Sequence, residues 1–178
     1  MIVKVLNITK QLPKGVLPAP ILKHCNQYKD EGVKHASKFA WLTLSKYIDL
    51  KKVKFNSNGK PYLTNNKKYF SLSHSFDKVA VAIDSKSIGI DIETILPLQI
   101  VNMLAKRLLN KQQLTQFFKV KDRSLWFTKY WTMYEAYAKK LGKKLTFDFF
   151  KHKIDAKVRT KVIKQPNRNF IFSIVFAK

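Results

Sequence analysis

Cysteine is nearly absent from this chain of 178 residues: Cys25 stands alone. No disulfide can form within the chain, and no pair of cysteines has the spacing of a zinc site. A single thiol suits a reducing compartment. Acidic residues are scarce as well, 11 against 35 Lys and Arg, for a formal net charge of +24. Long apolar runs are missing, and none approaches the roughly 20 residues that span a bilayer. The first residues, Met1 to Ile8, read as a strand and not as a basic segment followed by an apolar run. No secretory signal is therefore expected, and the chain is expected to be soluble and cytoplasmic. No RNP-like aromatic run and no helix-turn-helix pattern stands out.

What is present suffices for a core. The chain is 46% hydrophobic and 13% aromatic, which excludes wholesale disorder and allows one sizeable domain or two small halves. The excess of positive charge points to an acidic or polyanionic partner: nucleic acid, an anionic membrane surface, a phosphate-rich small molecule or an acidic protein. Charge alone does not choose among these.

Along the chain, Pro13, Pro18 and Pro20 mark a loop after the first strand. A helix is predicted over residues 21–48, broken near Gly32, with Val33, Ala36, Ala40, Leu44 and Tyr47 on one apolar face. Asn56 to Pro61 reads as a turn. Residues 69–74 form an apolar strand ending in polar residues. Residues 79–83 and 88–93 read as two strands joined by residues 84–87 in an antiparallel hairpin. Pro97 starts a helical region with Ile100, Met103, Leu104 and Leu108 on one face, and residues 125–141 form the strongest helix, stopped by Gly142. Strands near residues 154–163 and 170–176 flank a turn at Gln165-Pro166-Asn167. Strands and a long helix thus occur twice. The fold class is α+β, with two similar α/β halves, each a long helix packed on a small antiparallel sheet. The halves divide at about residues 1–87 and 88–178 within one unit, since no flexible linker separates them.

The chemistry concentrates in four short elements. In Ile88-Gly89-Ile90-Asp91-Ile92-Glu93, strand alternation places the two acids on one face and three isoleucines on the other. Two neighbouring carboxylates repel unless a cation lies between them. In the late helix, Trp131, Glu135 and Lys139 are spaced i, i+4, i+8 on one face, so the carboxylate is half-buried and requires a partner. Ser73-His74 closes an apolar strand, and Gly59-Lys60-Pro61 forms a turn. Each element alone is also what an ordinary surface strand, ion pair or turn would show.

In order, Gly59-Lys60-Pro61, Phe70-Ser71-Leu72-Ser73-His74-Ser75, Gly89-Ile90-Asp91-Ile92-Glu93 and Trp131-x3-Glu135-x3-Lys139 resemble the 4′-phosphopantetheinyl transferases. The closer likeness is to the larger, pseudo-dimeric and monomeric type that activates peptide synthetases. It is clear over about residues 55–150 and looser outside them. The resemblance implies transfer of phosphopantetheine from coenzyme A to a serine of an apo acyl or peptidyl carrier protein. It implies Mg²⁺ held by Asp91, Glu93 and Glu135, with Glu135 as the base on the serine, directly or through a water. Lys139 would face the pyrophosphate, Ser73 and His74 the coenzyme phosphates, and Lys60 the coenzyme. Lys29 and Lys34 fall near the family's N-terminal basic residues. Two positions depart from the pattern. Tyr134 stands where a lysine is usual, and Gln113 stands where many relatives carry a glutamate, whose role does not carry over to an amide. Carrier proteins are typically acidic, so the basic surface would steer them. The alternatives are a basic nucleic-acid-binding protein and an inactive binding member of the same fold; no membrane partner is expected.

Overall fold

The computed structural model describes residues 1–64, 67–151 and 153–178. Three antiparallel sheets and five α-helices make up an α+β architecture among the described residues. The first sheet has the order β1 (Ile2–Asn7), β5 (Lys78–Asp84), β4 (Tyr69–Ser75). The third has the order β6 (Ile88–Thr94), β8 (Phe170–Phe176), β7 (Lys157–Ile163). A short ribbon, β2 (Val53–Phe55) with β3 (Pro61–Leu63), carries the Asn56–Lys60 turn.

The expected hairpin between β5 and β6 does not form. Both edges of β5 are occupied, by β1 and by β4, and β6 pairs with β8 instead. Residues 84–87 therefore carry the chain from one sheet to the other. The sheets meet through side chains: Ala80 and Ala82 of β5 leave room for Ile88, Ile90 and Ile92 of β6, and all five are buried. The predicted alternation of β6 is borne out on this apolar side.

The first sheet is covered by α1 (Ala19–Asn26) and α2 (Glu31–Leu44). The break predicted near Gly32 falls at residues 27–30, so the region forms two helices. The Asp30 carboxylate accepts from the Val33 amide at 2.8 Å, which starts α2 afresh and leaves Gly32 inside its first turn. α2 is buried nearly all round from Ala36 to Leu44, because Trp41 and Leu44 enter one cluster and Phe39 and Ala40 another.

On the other side, α5 (Arg123–Leu141) lies across β6 and β8, with α3 (Leu98–Leu108) and α4 (Lys111–Lys119) packed around it. The apolar stripe of α3 is Val101, Ala105 and Leu108; Ile100 and Met103, expected on it, are exposed. The helical region splits at Leu109, because Asn110 and Gln113 form a reciprocal capping box that begins α4. The late strand β7 starts at Lys157 and not at residue 154. No helix among the described residues is long and apolar enough to cross a membrane.

One residue governs how closely these layers meet. A Cβ on Gly89 would lie 1.9 Å from the Ala136 carbonyl oxygen and 2.6 Å from the Lys140 nitrogen, so β6 and α5 touch backbone to backbone. Gly89→Ala is expected to cost about 3 kcal/mol or more, at the top of the overpacking range, because neither backbone is free to yield. Thermal denaturation followed by circular dichroism checks this; a melting temperature within a degree or two of the wild type would contradict it.

Candidate active site

Because β6 lies against α5, the acids of one reach the face of the other. Asp91 is buried at 2% exposure. Its Oδ1 accepts from Lys139 Nζ at 2.7 Å and from Ser73 Oγ at 2.8 Å, and Lys139 Nζ also reaches Ser73 Oγ at 2.9 Å. A residue from each of β4, β6 and α5 thus closes a triangle. The acidic face of β6 is thus not a solvated strand surface at Asp91, which β4 and α5 cover.

The serines of β4 extend this contact. Ser71 Oγ accepts from the Ile90 amide at 3.1 Å; Ser75 Oγ donates to Glu93 Oε2 at 2.9 Å and accepts from the Thr94 amide at 3.3 Å. Ser71, Ser73 and Ser75 alternate along the strand, so one hydroxyl face of β4 binds β6 where a backbone ladder is lacking. Below, Thr132 of α5 and Thr160 of β7 each lie 2.8 Å from the Ser173 hydroxyl of β8, which fixes the helix on its sheet.

A cavity of about 400 Å³ opens at this junction. Asp91, Glu93, Glu135, Lys139, Ser73, His74 and Lys60 all line it, so these seven predicted residues converge. Lys29 and Lys34 do not line it. Lys29 is exposed, and Lys34 Nζ is paired with Glu31 Oε1 at 2.5 Å. The two departures from the family pattern also lie elsewhere. Tyr134 is buried against Tyr130, Phe149 and Phe150, and Gln113 caps α4. Neither lines the cavity, so the cavity keeps its charged residues despite both.

The electrostatics match the geometry. Burial, with Asp91 and Glu135 alongside, pushes Glu93 up to about 7 against the partial relief of its Ser75 bond. Burial also raises Glu135, with Asp91 adding to the rise and Lys139 opposing it. Burial alone would depress Lys139, but Asp91, Glu135 and Glu93 outweigh it and hold the ammonium above its ordinary value. His74 is lowered by burial and by the Lys139 charge. Lys60 is brought down to about 8 by burial and by Lys140.

The fit to a metal ion rests on one orphaned atom. Asp91 Oδ2 is buried and has no hydrogen-bond partner, while Oδ1 is fully engaged. A hard oxygen ligand that lacks a donor, beside two more carboxylates raised by burial and by the Asp91 charge, suits a hard divalent cation. Among the described residues no three acids or imidazoles stand close enough to form a closed metal cage. Carboxylate oxygens alone would supply only part of the shell of a hard divalent cation, and other oxygen ligands would have to complete it.

Comparison with known proteins follows the same residues. The model of the 4′-phosphopantetheinyl transferase superfamily matches residues 87–175, half of the chain. The chain belongs to that superfamily. The matched span runs from the start of β6 to β8 and contains Asp91, Glu93, Glu135 and Lys139, whereas Lys60, Ser73 and His74 lie outside it. The chain is also similar to the 4′-phosphopantetheinyl transferase psf-1 of Bacillus pumilus, 32% identical over 93 residues. That stretch covers 51% of this chain and 39% of the relative. Read within this superfamily, the site also contains groups that motif matching passes over. Ser71, which lines the cavity, and Ser75, which holds Glu93, alternate with Ser73 in the sequence, a signal the strand reading left unused. His24 and Tyr28, which also line the cavity, carry no signal in sequence, since only the packing of α1 on α2 brings them there.

The raised Glu93 makes stability depend on pH. Between about 4.5 and about 7 the folded protein holds a proton that the unfolded chain releases. Raising the pH through that window therefore costs stability, by about 3 kcal/mol in all. Glu93→Gln, uncharged at every pH, is expected to flatten the decline in melting temperature from about pH 5 to about pH 8. Parallel curves for the two proteins would show that Glu93 does not carry the effect.

Proposed function

We propose that this protein is a 4′-phosphopantetheinyl transferase that moves phosphopantetheine from coenzyme A to a serine of an apo carrier protein. The convergence of three carboxylates, Lys139, Lys60, Ser73 and His74 on one cavity carries the reading. The serine oxygen attacks the pyrophosphate phosphorus that bears the pantetheine arm. The bond from that phosphorus to the bridging oxygen breaks, and adenosine 3′,5′-bisphosphate leaves with the electron pair. Glu135 takes the serine proton, directly or through a water, and its raised affinity for protons suits a base near neutral pH. Lys139, held between Asp91 and Ser73, stabilises the charge on the leaving bisphosphate. Asp91, Glu93 and Glu135 would hold Mg²⁺, which when bound neutralises charge on the pyrophosphate oxygens. His74 and Lys60 face the coenzyme phosphates from the N-terminal side; a neutral His74 gains a proton as the anion arrives.

The two sheet-and-helix assemblies are read as the similar halves of a monomeric pseudo-dimer, with coenzyme A in the cleft where β4 meets β6. The charge of +24 is assigned to steering an acidic carrier protein and not to nucleic acid.

Incubation with coenzyme A, Mg²⁺ and an apo carrier protein, read by intact mass, tests the proposal. The carrier is expected to gain one phosphopantetheine, more slowly at high salt, and to gain none once the metal is chelated. Glu135→Gln is expected to lower the rate by about 100-fold or more, in line with the loss of a general base. No transfer to any of several fatty-acid, polyketide and peptide carriers would overturn the assignment.

A further inference from the structure

The last turn of a helix leaves carbonyls without partners inside the helix. At the end of α5, Gly142 adopts a left-handed conformation (φ 69°), and its amide bonds back to the Ala138 and Lys139 carbonyls. The Lys143 amide also bonds to Ala138 O, at 3.1 Å. The carbonyls of Lys140 and Gly142 are satisfied from outside the helix. Ser87 Oγ donates to Lys140 O at 2.9 Å, and Lys60 Nζ donates to the same oxygen at 2.9 Å. Asn58 Nδ2 donates to Gly142 O at 3.0 Å. Three distant segments therefore meet at the end of one helix: the β2–β3 turn, the start of β6 and the terminus of α5.

The turn that supplies Asn58 is itself stiff. Asn56 Oδ1 accepts from the amides of Asn58 at 3.0 Å and Lys60 at 2.8 Å, and the Gly59 amide donates to Asn56 O at 2.9 Å. The fit is close: a Cβ on Gly142 would lie 3.1 Å from Lys60 Cδ. Lys139 immediately precedes the capped carbonyl of Lys140, and its ammonium depends on a 2.7 Å contact with Asp91. A displacement of the last turn by about 1 Å would be costly at such a site.

We infer that Asn58 and Ser87 are positioning residues that fasten the final turn of α5 and thereby set the place of Lys139. Both act on backbone carbonyls; Asn58 also lines the cavity, whereas Ser87 does not. This gives the segment before Lys60 a task separate from coenzyme binding: it is the far half of a helix cap, supplied from more than 80 residues away. The inference rests on the proposed transfer reaction for its kinetic readout only; the cap itself is tested without it.

The experiment compares Asn58→Ala, Ser87→Ala and Ser87→Thr with the wild type by amide hydrogen exchange and by transfer kinetics. Both alanine variants are expected to speed exchange at the Gly142 and Lys143 amides by about 5- to 10-fold, the scale of one lost hydrogen bond. Amides in the first half of α5 should not change. In transfer, kcat should fall by about 10-fold while KM for coenzyme A stays within about 3-fold, as expected when a transition-state group is displaced. Ser87→Thr, which keeps the hydroxyl, should restore both readouts. Unchanged exchange at the last turn in both alanine variants would overturn the inference. So would a loss confined to KM with kcat intact, which marks direct contact with the coenzyme. If Asn58→Ala does not fold, the Ser87 pair decides. If the wild type transfers nothing, the functional reading has failed, and the exchange data alone decide the cap.

Discussion

A side chain at position 89 would begin far inside van der Waals contact distance of the Ala136 carbonyl oxygen. Glycine there lets a strand and a helix meet without side chains between them, and the rest of the site follows from that approach. Asp91 lies two residues along the strand, and Lys139 lies three residues along the helix from Ala136. With the backbones in contact, a short aspartate and a lysine meet at 2.7 Å. With a methyl group between them, the layers would move apart and the pair would separate.

Burying that pair has consequences on both sides. Asp91 is nearly inaccessible, so it must be hydrogen-bonded or neutralised; Lys139 and Ser73 together satisfy one oxygen and leave the other without a donor. Removing Lys139 or Asp91 leaves a charge in a site arranged for its opposite, which is more damaging than losing a surface pair. The unsatisfied oxygen, with Glu93 and Glu135 kept from easy ionisation, makes the free protein electrostatically incomplete. On the proposed reading a cation and an anionic substrate would complete it together, so the two are expected to bind cooperatively.

Much of this could be read in the chain. Alternation of Ile88, Ile90 and Ile92 with Asp91 and Glu93 gave the buried and acidic faces, and the i, i+4 spacing of Glu135 and Lys139 gave the helix face that meets them. These are local periodicities, fixed by the backbone itself. The pairing of β6 was not legible, because the link of residues 84–87 has the length of a hairpin loop. Only the presence of β1 and β4 on either side of β5 excludes that partner. The face of α3 was half right: Leu104 and Leu108 pack on the core, whereas Ile100 and Met103, equally apolar, are exposed. The break near Gly32 was legible, but its exact place is set by the Asp30 cap two residues earlier. Long-range contacts between side chain and backbone, such as Asn58 on Gly142, leave no local trace in the sequence.

The central claim is that this junction is built for a divalent cation and a pyrophosphate at once. Titration calorimetry of coenzyme A into the protein, with and without Mg²⁺, tests it most directly, with Asp91→Asn as the comparison. Coenzyme affinity in the wild type is expected to rise by about tenfold or more on adding Mg²⁺, equivalent to about 1.4 kcal/mol. In folded Asp91→Asn that gain should largely vanish. Equal affinity with and without the metal in the wild type would contradict the claim, and so would a full metal-dependent gain in the variant.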